Sequence, residues 1–261
     1  MRVVLHAGFH KTGTSSVQAA LAANRDLLAP ALRIWLKPDI RPLTEACRAF
    51  SEHRDDLHRG LLRYEAQEAF GALDASDPRP LLISAEDLAG HMPFRRGLTS
   101  YDAAPELLAL LTESLHLAQP TAEPVVYLST RSPEAWVKSC HAQHLQATRM
   151  RLDLDSYRQR ALPHADLAAV ADAVAEAIAP LPLHRAALEE VGHLPLGPLA
   201  PLLDLVALPD ALRARIVPQP PANPSLPGEV LTRLLQMNRS DWDGETLKRR
   251  KKRLIRQSQE G

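Results

Sequence analysis

Eight residues near the N-terminus, Gly8-Phe9-His10-Lys11-Thr12-Gly13-Thr14-Ser15, combine two glycines five apart with a lysine and three hydroxyls. Glycines at that spacing permit a tight turn whose backbone N–H groups converge on an anion, with the dipole of a following helix behind them. The loop of nucleotide triphosphatases reads Gly-x-x-x-x-Gly-Lys-Ser/Thr, with the lysine after the second glycine. Here the glycines keep that spacing, but Thr14 stands in the lysine's place and the cation lies inside the loop at position 11. A lysine so placed can sit over the bond between a held phosphate and the group being moved, and neutralise charge on the leaving oxygen. The bland alternative is a Gly/Thr turn opening an ordinary helix. Against it stands the coincidence of strand, glycines, lysine and hydroxyls.

The core Lys11-Thr12-Gly13-Thr14, directly after the first strand, resembles the phosphosulfate-binding loop of sulfotransferases that use 3′-phosphoadenosine 5′-phosphosulfate (PAPS), in particular their bacterial members. The resemblance implies that Lys11, Thr12, Gly13, Thr14 and Ser15 hold the 5′-phosphosulfate, together with His10, which replaces a proline common in the family. It further implies that Arg131, at the end of a strand, and Ser139, eight residues later on the next helix, bind the 3′-phosphate. A guanidinium offers a planar fork for phosphate oxygens, and a helical hydroxyl adds a neutral donor. Arg131-Ser132-Pro133 departs mildly from the Arg-Asp-Pro usual there. Outside the family context an Arg after a strand is often a solvated cap, and a Ser in a helix is unremarkable. A nucleotide charged at both ends of its ribose needs two anion pockets, whereas ATP needs one pocket and a magnesium site. No acidic residue is evidently placed to hold magnesium, and no metal is expected.

Transfer to an alcohol or amine requires a group that removes the acceptor's proton. Glu86, in Ser84-Ala85-Glu86-Asp87-Leu88, is the leading candidate, because it lies just past a strand, where parallel sheets place their ligands. The segment resembles the Ser-x-Glu of many bacterial sulfotransferases, whose Glu serves as base. His91 is the nearest imidazole and the alternative. Glu86 could also simply complement a helix N-terminus with Ser84 as cap, and Asp87 reads as a capping neighbour. His6, His141 and His144 read as packing or surface histidines.

Around these residues, short β-type runs alternate with helical patterns over the first 150 residues. Residues 2–7, 81–84 and 125–129 read as strands; 14–28, 106–117 and 133–148 read as helices, and 43–73 as two helices broken near Gly60. This alternation predicts an α/β fold with a central parallel sheet flanked by helices, the nucleotide-binding core of a single domain spanning 1–261. The remainder, 151–261, reads as a helical, proline-rich part that shapes the acceptor site. It contains a helix at 166–179, a possible strand at 183–188, and closing helices at 227–237 and 244–255. Six consecutive basic residues, Lys248 to Arg253, are most simply a solvated helix end or loose tail. Asn223-Pro224-Ser225-Leu226 resembles an Asn-x-Ser segment of bacterial members and takes no physical role from sequence.

Composition narrows the rest. Thirty-one basic residues balance thirty-one acidic ones among 261, which removes a polycation argument for nucleic acid. Two cysteines, Cys47 and Cys140, cannot make a disulfide framework, so a reducing, cytoplasmic setting is expected. No run reaches eighteen apolar residues, and integral membrane association is not expected. The expectation is a PAPS-dependent sulfotransferase acting in line on a hydroxyl or amine of a small molecule, saccharide or lipid head-group. A P-loop kinase or nucleotidase with a variant loop, and an inactive nucleotide-binding module, remain as alternatives.

Overall fold

The apolar runs Val3-Val4-Leu5, Leu81-Leu82-Ile83 and Val126-Tyr127-Leu128 are almost wholly buried, as strands covered on both faces must be. In the computed structural model, which describes residues 1–220 and 226–260, they form the middle of a parallel sheet. Along the chain, β1 (Arg2–His6) leads through the loop 7–13 into α1 (Thr14–Ala23) and the single turn α2 (Arg25–Leu28). Then β2 (Arg33–Leu36) is followed by α3 (Arg41–His53) and α4 (Asp56–Gly71), and β3 (Leu81–Ser84) by a 3₁₀ turn at Glu86–Ala89 and α5 (Ala104–Ala118). The next strand, β4 (Glu123–Thr130), precedes α6 (Pro133–Ala147), α7 (Leu154–Ala161) and α8 (Leu167–Ile178). After β5 (Leu183–Ala187) come the short α9 (Leu188–Val191), α10 (Ala200–Leu205) and α11 (Asp210–Arg213), then α12 (Gly228–Arg239) and α13 (Gly244–Glu260).

Residues 1–132 with 166–220 make one compact unit, which holds the sheet. Its strand order is β2-β3-β1-β4-β5, every pair parallel. Val4, Leu82, Val125 and Tyr127 share one core with Val17 and Leu21 of α1 and Leu202 and Leu203 of α10. Alternation along each strand sends Val3, Leu5, Leu81, Ile83, Val126 and Leu128 to the opposite face, where α3, α4, α5 and α8 pack against one another. Each fully buried Val, Leu or Ile stabilises the fold by about 1.5–3 kcal/mol. The connection from β1 leaves toward β2, while that from β4 leaves toward β5. The C-terminal ends of β1 and β4 therefore flank the topological switch point, where open α/β sheets bind ligands.

Three local expectations are corrected. The break in 43–73 falls at Arg54 and Asp55, not Gly60: Asp55 caps α4 by accepting from the His58 amide at 2.8 Å, and Gly60 lies inside that helix. The helix at 14–28 divides at Asn24, whose buried side chain donates to Ala20 O and accepts from the Val217 amide. The strand β2 was not anticipated at all.

Residues 133–165 with 226–260 make the second unit. Leu145, Val230, Leu234 and Leu254 form its core. The basic run is no loose tail. Residues 248–253 lie within α13, and Lys251 turns inward to donate to Thr148 O at 2.7 Å and Asn238 Oδ1 at 3.0 Å. Burial lowers its ammonium to about 8. Residues 223–225 of the Asn-Pro-Ser segment lie outside the described residues. Among the described residues, no helix is long and apolar enough to cross a membrane.

Candidate active site

Beneath the loop after β1 runs a chain of buried polar side chains. The Thr12 hydroxyl donates to Phe9 O at 2.5 Å. Its one proton being used, the Ser129 hydroxyl must donate to Thr12 (2.7 Å), His6 Nε2–H to Ser129 (3.4 Å), and Ser84 to His6 Nδ1 (2.8 Å). The network thus has one direction, from β3 through β1 and β4 into the loop. Burial holds His6 at about 3, so its imidazole is neutral as this requires. Gly8 lies over the network: a Cβ there would stand 2.2 Å from Ser129 Oγ and 2.7 Å from His6 Nε2.

The loop turns through left-handed backbone at Lys11 (φ 69°) and Gly13 (φ 96°). A side chain at Gly13 would collide with Leu188 besides being strained. A lysine held in this sparsely populated region is the kind of strain that functional loops keep. The first helical hydrogen bonds of α1 run from the Ser16 and Val17 amides to Gly13 O. The amides of Gly13, Thr14 and Ser15 precede that ladder, at the positive end of the helix dipole. Thr14 is buried and Ser15 half-buried. The Thr12 hydroxyl faces the interior network, so Thr12 can offer an anion only its backbone.

Arg131, just past β4, donates from Nη1 to the carbonyl of Lys11 at 3.1 Å. The two motifs, 120 residues apart, thus meet at the switch point. Next to this contact lies Glu189 of α9. Its carboxylate accepts from the Ser132 amide (3.3 Å) and hydroxyl (3.0 Å), with Arg131 Nε 3.8 Å away. Ser139 is half-buried on α6, in the second unit.

His10 and Asp87 are joined in a way the sequence did not announce. The His10 amide donates to Tyr101 Oη, and the phenol returns its proton to His10 Nδ1, both at 2.9 Å. A neutral His10 then carries its proton on Nε2, which faces Asp87 Oδ1 at 3.4 Å. The Lys37 ammonium, from just past β2, sits on the other oxygen of Asp87. Burial alone would raise this carboxyl, but the hydrogen bond from His10 and the charge and hydrogen bond of Lys37 outweigh it and hold Asp87 at about 2. Asp87 is therefore a buried clamp on the loop, and the expectation of a capping neighbour is corrected.

Glu86 opens the 3₁₀ turn after β3 and is half-buried; its Oε2 accepts from Gln18 Nε2 of α1 at 2.6 Å. The residue is thereby tied to the helix that begins at the loop. His91 has both nitrogens engaged, Nδ1 donating to Met92 O at 3.1 Å and Nε2 accepting from Arg48 at 3.3 Å. Burial also lowers its imidazole below the usual range. Lys37, Tyr101, Gln18 and Glu189 were all missed by sequence reasoning. Only Lys37 had a usable signal, as a lysine directly following a strand-like Ile-Trp-Leu.

A five-stranded parallel sheet with a glycine-bounded loop after its central strand defines an α/β scaffold flanked by helices. The family model of the sulfotransferase domain matches residues 3–179, and the chain belongs to that family. It is accordingly a transferase that moves a sulfuryl group. No curated protein matches it in sequence.

Proposed function

We propose that the donor is PAPS and that the acceptor is a hydroxyl or amine of a small molecule, saccharide or lipid head-group. The observation that carries this reading is the hydrogen bond from Arg131 to the carbonyl of Lys11, which joins a 5′-anion loop to a guanidinium suited to a second phosphate. The amides of 11–15 and the Lys11 ammonium hold the 5′-phosphosulfate, with His10 fixing the start of the loop. Arg131 takes the 3′-phosphate; Ser139 is assigned to the same phosphate on its spacing alone. The donor set is made of cations, amides and a hydroxyl, which fits two anionic ends.

In the reaction the acceptor oxygen or nitrogen attacks sulfur in line. Its proton passes to Glu86, and the bond from sulfur to the bridging phosphate oxygen breaks. That oxygen leaves with the electron pair, and Lys11 neutralises the charge it gains. Gln18 orients one Glu86 oxygen and leaves the other to take the proton. Glu86 is preferred to His91 because both His91 nitrogens are already engaged. Thermal unfolding with 3′-phosphoadenosine 5′-phosphate, compared with ATP–magnesium, tests the donor reading. Ligand at a hundred times its dissociation constant stabilises by about 2.7 kcal/mol, so the bisphosphate should raise the midpoint clearly. A larger shift with ATP–magnesium would favour a kinase or nucleotidase.

A further inference from the structure

The donors of Ser132 are already engaged by an anion of the protein's own, which also forms an ion pair with Arg131. The Glu189 carboxylate accepts from the Ser132 amide with both oxygens at 3.3 Å and from its hydroxyl at 3.0 Å, with the Arg131 guanidinium 3.8 Å away. An amide, a hydroxyl and a guanidinium around one carboxylate are the donors a phosphate would use. Glu189 is held there by its surroundings. Its neighbour Glu190 closes the turn by accepting from the Ala187 amide at 2.9 Å, and Leu188 packs against the loop at Gly13. The side chain is nonetheless 45% exposed, so it can swing into solvent without disturbing a core.

We infer that Glu189 is an internal competitor for the 3′-phosphate seat and a specificity-determining residue for the donor nucleotide; this rests on the assignment of Arg131 to that phosphate. A bisphosphate must displace the carboxylate or endure its like charge, whereas a nucleotide lacking the 3′-phosphate leaves the carboxylate where it is. The same competition acts on the way out. Once the sulfuryl group has gone, return of Glu189 to Ser132 and Arg131 helps to expel the 3′,5′-bisphosphate product.

Calorimetric titration of the full chain and of Glu189→Gln with 3′-phosphoadenosine 5′-phosphate and with adenosine 5′-monophosphate tests this. The amide keeps the shape and removes the charge. Relief of like-charge contact should tighten the bisphosphate by at least about fivefold and change the monophosphate by less than about twofold. Glu189→Ala, at this exposed position, should behave in the same direction. Bisphosphate binding unchanged or weakened in both variants, with the original chain binding it well, would overturn the competitor role and leave the donor reading intact. If neither the original chain nor the variants bind bisphosphate better than monophosphate, the donor reading falls and the inference falls with it.

Discussion

The Arg131 guanidinium donates to the carbonyl of Lys11 at 3.1 Å, so the residue past β4 braces the backbone of the loop past β1. One side chain therefore braces the loop and, under the proposed donor, also faces its 3′-phosphate. The bond also helps explain how Lys11 keeps its left-handed backbone, since a strained residue persists only when its surroundings over-determine it.

Lys11→Ala should lower kcat by roughly 10²–10³-fold, the scale seen when one donor to a developing oxyanion is lost. Binding of 3′-phosphoadenosine 5′-phosphate should weaken far less, because the amides of the loop survive. Single-turnover sulfuryl transfer beside calorimetry separates the two effects, and unchanged turnover would remove Lys11 from the leaving-group role.

Glu86→Gln should cut kcat by roughly 10²–10⁴-fold, the contribution of a positioned general base. Gln18→Ala, which only releases the carboxylate from its 2.6 Å partner, should cost less than loss of the carboxylate itself. A loss below tenfold for Glu86→Gln would return the residue to a capping role. Inactivity toward every acceptor with donor affinity intact would instead mark a binding module.

Gly8→Ala places a methyl 2.2 Å from Ser129 Oγ and should destabilise by about 1–3 kcal/mol, as overpacking does. At this size that lowers the unfolding midpoint by roughly 2–12 °C. Gly60→Ala, inside α4 with open space around its Cβ, should stabilise by up to about 1 kcal/mol. Equal midpoints for the two variants would mean that the network beneath the loop does not constrain Gly8.

Asp87 is depressed in the folded chain from 3.8 to about 2. Its contribution is therefore complete above the unfolded value and is lost as pH falls through the folded one. The wild type should lose about 2 kcal/mol of stability between pH 4 and pH 2 on this account, and Asp87→Asn should lose correspondingly less over that window. Denaturant melts at the two pH values check the difference.

How much of this was legible follows from which interactions are local. The strands β1, β3 and the core of β4 are doubly buried, so each appears in the sequence as an apolar run. The four-residue edge strand β2 carries Arg33 and alternates half-buried with buried positions, so its short Ile-Trp-Leu run is a weaker signal than the doubly buried runs. Gly60 was misread as a break because helix propensity is weak beside tertiary packing; the true break is fixed by the Asp55 cap. The loop 8–15 was readable because its glycines, lysine and hydroxyls are contiguous. The partners that shape it were not. Ser129, Tyr101 and Glu189 reach the loop and its neighbours through the folded chain, and nothing in their local sequence marks them; Lys37 follows a strand-like run, but nothing in the sequence pairs it with Asp87. Asp87 looked like a cap because its ion pair with Lys37 spans fifty residues of chain.

The central claim is that the loop and Arg131 serve one nucleotide. Titration of wild type and Arg131→Ala with 3′-phosphoadenosine 5′-phosphate and adenosine 5′-monophosphate measures this most directly. The account predicts that removing the guanidinium weakens the bisphosphate by at least about tenfold more than the monophosphate, since a charge-assisted bond of about 1.5–3 kcal/mol is lost only with the former. Equal weakening of both ligands, or none of either, would contradict it.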